Sequence, residues 1–221
     1  MNLDQLEAPK REALLAGAKL LTVARGDIIY TANDDPADVY FVRSGRVKIV
    51  RTSAGGAESI VGIRNPGDIF AELSWMPGMP NRATSAIVLD AGAVVRLEAA
   101  EFSRRIAADA ALAAAFARGL ARRLNDAELE LTELAGKSVP GRLVDALGRL
   151  ASDHGIAESD GSVRIGISLT HKDLADLIGT SRETLTKELS VLADLGLVRV
   201  AHRTVTLTLP DAFAIARPRD M

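Results

Sequence analysis

Cysteine is absent from this 221-residue chain. Its absence excludes disulfides, thiolate-held iron–sulfur clusters and redox-sensing thiols together. Histidine is nearly as scarce, and His154, His171 and His202 all lie outside the strand-rich stretch at 18–98. A cupin-type metal site needs a histidine cluster on those strands, and a haem needs an axial donor there. No metal, haem or iron–sulfur cluster is therefore expected. No nucleophile–base pair stands out either, so the expectation is a protein that is not an enzyme. No window approaches a membrane span, and the opening MNLDQLEAPK has no apolar run after a basic start. The chain is expected in the cytoplasm, without a membrane partner. An excess of one sign of charge is missing too: 27 basic side chains meet 29 acidic ones, for a formal net charge of −2. Affinity for a polyanion has to come from a local basic patch.

Hydrophobic residues make up 48% of the chain and charged ones 25%, the balance of a globular protein long enough for two modest domains. The sharpest pattern is LTHKDLADLIGTSRETLTKELSVL at 169–192. Thr170 caps a predicted helix reaching Ile178, with Leu174, Ala175, Leu177 and Ile178 in one apolar stripe. Gly179 ends it in a sharp turn, since glycine takes the left-handed conformation. Ser181 caps a second helix that turns Leu185, Leu189 and Leu192 inward and leaves Arg182, Glu183, Thr186 and Lys187 outside. In a helix-turn-helix these first residues of the second helix reach base edges in the major groove. Arginine suits the two acceptors of guanine, and glutamate the amino group of cytosine. The plainer alternative is a helical hairpin with a solvated charged face. Cap, glycine turn and polar tip together favour the DNA-reading motif. Lys172, Arg182, Lys187, Arg199 and Arg203, with His171 and His202, supply the local basic patch. Leu197–Ala201 and Thr204–Leu209 are predicted as a strand pair around His202-Arg203, a wing suited to lie against phosphate.

Between 18 and 98 short strands alternate with turns. Asp38–Arg43 and Arg46–Thr52 are predicted as a hairpin around Ser44-Gly45, and Ala83–Leu89 and Ala93–Glu98 as strands around the turn Asp90–Gly92. Ser53–Gly56 is a further turn, Glu58–Arg64 a strand, and Pro66–Asp68 a break. Strands at this spacing suggest a β-barrel or jelly roll. From 100 to 134 the chain is helical and alanine-rich. Ala113, Ala117, Leu120, Leu124, Ala127, Leu131 and Leu134 step alternately by four and three, a heptad seam. The seam either packs on the same chain or pairs with a second copy. Its length and flanking charges favour a homodimer. Ser138–Gly141 is predicted as the hinge, Arg142–Asp153 as a helix and His154–Ser162 as a polar loop. The expected division is a barrel domain at 1–105, a dimerisation helix at 106–137 and a winged helix-turn-helix at 138–221.

Within the strand zone, Glu72 and Arg82 stand among small residues. They read either as a solvated ion pair or as ligand groups. As ligand groups, Arg82 clamps an anionic phosphate and Glu72 accepts from a sugar hydroxyl, with backbone donors near Ala71–Leu73.

DVYFVRSGRVKIV at 38–50, GDIFAELS with its later RAT within 67–84, and TSRETLTKEL at 180–189 together resemble the cyclic-AMP receptor protein and FNR family of bacterial transcription regulators. The resemblance spans essentially the whole chain. It implies an α+β fold: an N-terminal cyclic-nucleotide-binding β-barrel (jelly roll), a long dimerisation helix and a C-terminal winged helix-turn-helix. It implies cyclic AMP as allosteric effector, with Glu72 on the ribose 2′-hydroxyl and Arg82 with Ala83 at the cyclic phosphate. Ile49, Val61 and Leu73 then flank base and sugar, beside Ala71, and Arg123 faces the purine. Arg182, Glu183 and Lys187 fall at base-contacting positions, Thr170, Ser181 and Thr184 at phosphate-contacting ones. A two-fold symmetric double-stranded DNA site and RNA polymerase are the implied partners of the homodimer. The chain departs from the family pattern at Ala71, usually glycine, and at Ala83, often serine or threonine. It departs also at Ala127 and Glu128, where hydroxyl residues meet the adenine amine, and at Lys187, often arginine. These departures leave the phosphate–ribose end intact and alter the base end. They also feed an alternative, a ligand-independent activator whose barrel is a dimerisation and polymerase-contact scaffold.

Overall fold

Two long strands organise the N-terminal unit. β1 (Lys19–Val23), β2 (Ile28–Tyr30), β3 (Asp38–Thr52), β4 (Glu58–Arg64), β5 (Ile69–Phe70) and β6 (Ser85–Glu98) form a six-stranded sheet in the order β1-β6-β3-β4, with β2 on β6 and β5 on β3. All these pairings are antiparallel. The computed structural model describes residues 2–213 apart from 36, 74, 75 and 77–81. It resolves into two units, Met1–Glu128 and Leu129–Met221.

The two turns expected at Ser44-Gly45 and Asp90–Gly92 are bulges inside continuous strands. The β3–β6 register shifts between Val42 and Val47, and Gly45 has φ 77°. A Cβ on Gly45 would strike the carbonyls of Asp90 and Ala91, and one on Gly92 the carbonyl of Ser44. Tight turns and bulges draw on the same glycine freedom, so the local signature is shared. Here the two irregular sites face each other, and the strands bend together without parting. The extra residue also changes the facing of β3. Tyr40 and Val42 before the bulge, and Val47 and Ile49 after it, all join one core with Tyr30, Phe70, Ala86 and Val94. A regular strand alternates with period two and cannot put both even and odd positions on one face.

The opposite face of β3, Val39 and Phe41, packs on helices: α1 (Ala8–Leu15), α2 (Ala99–Ala108) and α3 (Ala110–Gly136). The single helix expected over 100–134 is two. Asp109 has extended backbone, and its Oδ1 accepts from the N–H of Ala111 at 2.8 Å and of Leu112 at 3.1 Å, capping α3. Phe102 meets Phe41 and Phe116 edge-on, with centroids 6.1 and 5.5 Å apart. Thus α3 buries Leu112 and Phe116 in its own chain, not the heptad seam. Of the seam, Ala113 and Leu120 are half-buried and Ala117, Leu124, Ala127 and Leu131 exposed; the Leu134 side chain lies outside the described residues.

The second unit contains α4 (Val139–His154), β7 (Gly155–Ala157), β8 (Val163–Ile165), α5 (His171–Ile178), α6 (Arg182–Asp194), β9 (Val198–Ala201) and β10 (Thr204–Leu207). Its four strands run in the order β7-β8-β10-β9. Pro140, expected in a break, occupies the first turn of α4, where its missing N–H goes unused. The helix therefore starts at Val139, three residues before the expected Arg142. The expected polar loop at 154–162 contains β7, all of whose residues are exposed and so show no alternation. Leu143, Leu147, Leu174, Ile178, Leu185 and Leu207 form the buried interior.

Candidate functional site

The bend of the sheet and the middle of α3 enclose a cavity of about 560 Å³, a size ordinary for a small-molecule site. It brings together seven residues expected to bind a ligand: Ile49 of β3, Val61 of β4, Ala71, Glu72 and Leu73 after β5, Ala83 before β6, and Arg123 of α3. Leu120 and Leu124 of α3 share the wall. Ala127 and Glu128 do not line it; both lie on the exposed stretch of α3.

Glu72 and Arg82 are each 2% exposed, which removes the solvated-pair reading. Nor are they partners. Glu72 accepts from Nη1 of Arg123, whose Nη2 donates to the carbonyl of Ile69 at 2.8 Å. Arg82 is held from behind: Nη2 donates to the carbonyl of Asp38 at 3.0 Å and Nε to that of Asp35 at 3.3 Å. Its guanidinium lies over Tyr30, 4.1 Å from the ring centroid. Tyr30, Tyr40 and Phe70 stack beneath, and burial pushes the Tyr30 hydroxyl above its ordinary pKa, against a hydrogen bond with Thr84. Nη1 of Arg82 is buried with no partner among the described residues. A buried donor left over on a guanidinium is a ready contact for an anion.

Sequence reasoning missed Tyr30, Arg51, Arg64, Phe70 and Thr84, which also line the cavity. Their signal is weak, because aromatic and charged residues at strand ends look like any others. Among the described residues Arg51, Arg64 and Arg123 in the wall face one carboxylate, Glu72, so the cavity is cationic. Ala71 has φ 65°, a left-handed conformation that an L-residue with a side chain adopts at a cost.

In the second unit the expected motif forms, with Leu174, Ala175 and Ile178 buried and Leu177 half-buried. Thr170 accepts from the N–H of Asp173 at 3.1 Å while Asp173 accepts from that of Thr170 at 2.9 Å, a reciprocal capping box. Gly179 sits at φ 65°. Arg142, not anticipated, donates to the carbonyls of Ile178 at 2.9 Å and Gly179 at 3.3 Å, tying the turn to α4. Ser181 accepts from the N–H of Thr184 at 3.1 Å and opens α6. Leu185, Leu189 and Leu192 are buried while Arg182, Glu183, Thr186 and Lys187 are exposed. His171 joins α5 to α6 through Thr186, Nδ1 to Oγ1 at 3.0 Å.

The basic patch divides. Lys172 is bonded to Asp176 at 2.8 Å and Arg199 to Asp160 at 3.0 Å. Hydrogen bonds from Ser162, then Arg199, pull Asp160 down to about 2. Arg182, Lys187 and Arg203 have exposed side chains available to a phosphate or base edge. His202 and Arg203 form the exposed turn between β9 and β10, with His202 at φ 53°.

Residues 20–109 match the cyclic nucleotide-binding domain and residues 141–215 the Crp-like helix-turn-helix domain. The chain is 34% identical over 194 residues to the CRP-like cAMP-activated global transcriptional regulator of Mycobacterium tuberculosis, covering 87% of this chain and 84% of that one. It is 32% identical over 181 residues to the Cyclic AMP receptor protein of Thermus thermophilus, covering 82% and 80%. Among solved structures, the c-di-GMP responsive global regulator CLP of Xanthomonas campestris aligns with a TM-score of 0.82 at 21% identity, over 91% of this chain and 99% of that one. That last likeness speaks for the fold alone. Fold and matches define the class: a DNA-binding transcription regulator with a cyclic nucleotide-binding domain, not an enzyme. The chain belongs to the CRP/FNR family. Among the described residues no helix is long and apolar enough to cross a membrane.

Proposed function

We propose that the protein is a homodimeric, sequence-specific transcription regulator of the cytoplasm whose DNA binding is controlled by cyclic AMP in the cavity. The observation that carries this reading is a buried carboxylate in the cavity wall, Glu72, together with a buried guanidinium donor on Arg82, next in sequence to the wall residue Ala83, that has no partner among the described residues. In this reading Arg82 meets the cyclic phosphate, and Glu72, paired with Arg123, accepts from the ribose 2′-hydroxyl. Ile49, Val61 and Leu73 supply apolar contact, and backbone groups at Ala71–Leu73 and Ala83 approach the sugar and phosphate. Both curated relatives named above carry cyclic AMP in their names. Ala127 and Glu128, outside the wall of one chain, reach the base only if a second copy closes over the cavity. The dimer pairs the exposed seam of α3, places two reading helices on a two-fold symmetric DNA site and contacts RNA polymerase. Ligand shifts the protein toward DNA only as far as it binds the DNA-competent arrangement more tightly.

Calorimetric titration with cyclic AMP and cyclic GMP tests the reading. Saturable binding of cyclic AMP that strengthens DNA binding is expected. Absence of heat with both nucleotides would transfer the protein to a second reading, a ligand-independent activator. What favours that reading is the Glu72–Arg123 pair, which gives the carboxylate a partner within its own chain.

A further inference from the structure

Arg64, the last residue of β4, lines the cavity but has no role in the pairs described above. Its Nε is buried without a hydrogen-bond partner among the described residues. Its Nη1 makes one long bond, 3.4 Å, to the carbonyl of the neighbouring Ile63. Room for this side chain comes from Gly62, two residues earlier on the same face of β4: a Cβ there would lie 2.5 Å from Nη1. The guanidinium thus folds back along its own strand toward the cavity.

The protein's own groups compensate its charge only in part. Burial pushes its pKa below the usual arginine range and the positive charge of Arg123 adds to that, against Glu72 and Asp68. Glu72, the nearest counter-charge in the wall, is taken by Arg123, and Arg51 brings a further positive charge to the same wall. A partly desolvated cation with a buried spare donor costs free energy unless something supplies an acceptor and a negative charge. In a cationic cavity of this size that partner is the ligand.

We propose that Arg64 is a ligand-contacting residue, and that the phosphate of an anionic nucleotide provides the acceptor its guanidinium lacks. This deepens the cyclic-nucleotide reading of the cavity and rests on the site taking an anion. Arg64 and Arg82 then hold the anion from two elements, β4 and the segment before β6. The cavity wall carries an excess of positive charge that a bound anion relieves.

The test is a pair of opposite signs in one variant, Arg64→Met, which keeps bulk and removes charge and donors. The melting temperature of the ligand-free full-length protein should rise, and its affinity for cyclic AMP should fall by roughly tenfold or more. Arg64→Lys, which restores the charge without the fork, should recover part of that affinity. A lower melting temperature with unchanged affinity would make Arg64 a structural anchor of β4 and overturn the proposal; so would no change in either. Should the wild type bind no cyclic AMP, that reading falls by itself. Arg64 is then judged with inorganic pyrophosphate as probe. The wild type should gain more thermal stability from it than Arg64→Met does, and equal gains would overturn the proposal.

Discussion

Ala71 shows how a single residue can carry strain into a binding wall. Its φ of 65° places a methyl group where the backbone favours none, beside Glu72 and in the cavity lining. Left-handed backbone costs an L-residue about 1 kcal/mol, part of which glycine returns through its looser unfolded chain. Ala71→Gly should therefore raise the denaturant midpoint by up to about 1 kcal/mol of stability, and unaltered or lower stability would place the strain elsewhere. Arg82→Leu should weaken cyclic-AMP binding by roughly 1.5–3 kcal/mol or more, because a charge-assisted fork is lost. Calorimetry checks this. Because Arg82 also braces Tyr30 and the carbonyls of Asp35 and Asp38, its melting curve must be recorded beside the titration. Glu72 and Arg82 were legible as candidates, but the residues alone left a solvated pair and ligand groups both open, and only the family resemblance supplied their roles. The Glu72–Arg123 pair was not legible, since 51 residues separate them and charge alone names no partner. Arg64 was hidden for a related reason, as an arginine at a strand end reads as solvated until its burial is known.

At the level of elements, what the chain discloses depends on how local the determining interactions are. The capping box of α5, the Ser181 cap of α6 and the glycine turn between them act within four residues, and both helices form where expected. The bulges of β3 and β6 are long-range: only the pairing of the two strands separates a bend from a hairpin turn. The seam of α3 was legible as a pattern, but not which stripe its own chain would claim. Phe116 and Leu112 are that stripe, leaving Leu124 and Leu131 62% and 66% exposed. Leu124→Lys should yield a monomer or a strongly weakened dimer in sedimentation, since a charge would enter an apolar interface. An intact dimer would show that the seam is not where copies meet. On α6, Arg182→Ala should lose roughly 1–3 kcal/mol per half-site and relax preference at one base pair. In the wing, Arg203→Ala should weaken every sequence alike and lower the salt slope. Selection from random DNA separates the two; a base preference that follows Arg203 and ignores Arg182 would exchange their roles.

For the molecule as a whole, a net charge of −2 means that attraction to DNA is a property of one surface and not of the total. The same economy holds on α3, where Leu124 stands both in the cavity wall and in the exposed seam. If copies pair along that seam, Leu124 borders both the nucleotide and the second chain. Each then changes the standing of the other. Two such equilibria obey reciprocity: whatever factor dimerisation adds to nucleotide affinity, nucleotide adds to dimerisation. Titrations of cyclic AMP at several protein concentrations around the dimer dissociation constant should give different apparent affinities, tighter as the protein becomes more concentrated. A single affinity across that range would uncouple the two. Expression level would then be an input in its own right, with a scarce regulator deaf to a nucleotide signal that an abundant one hears.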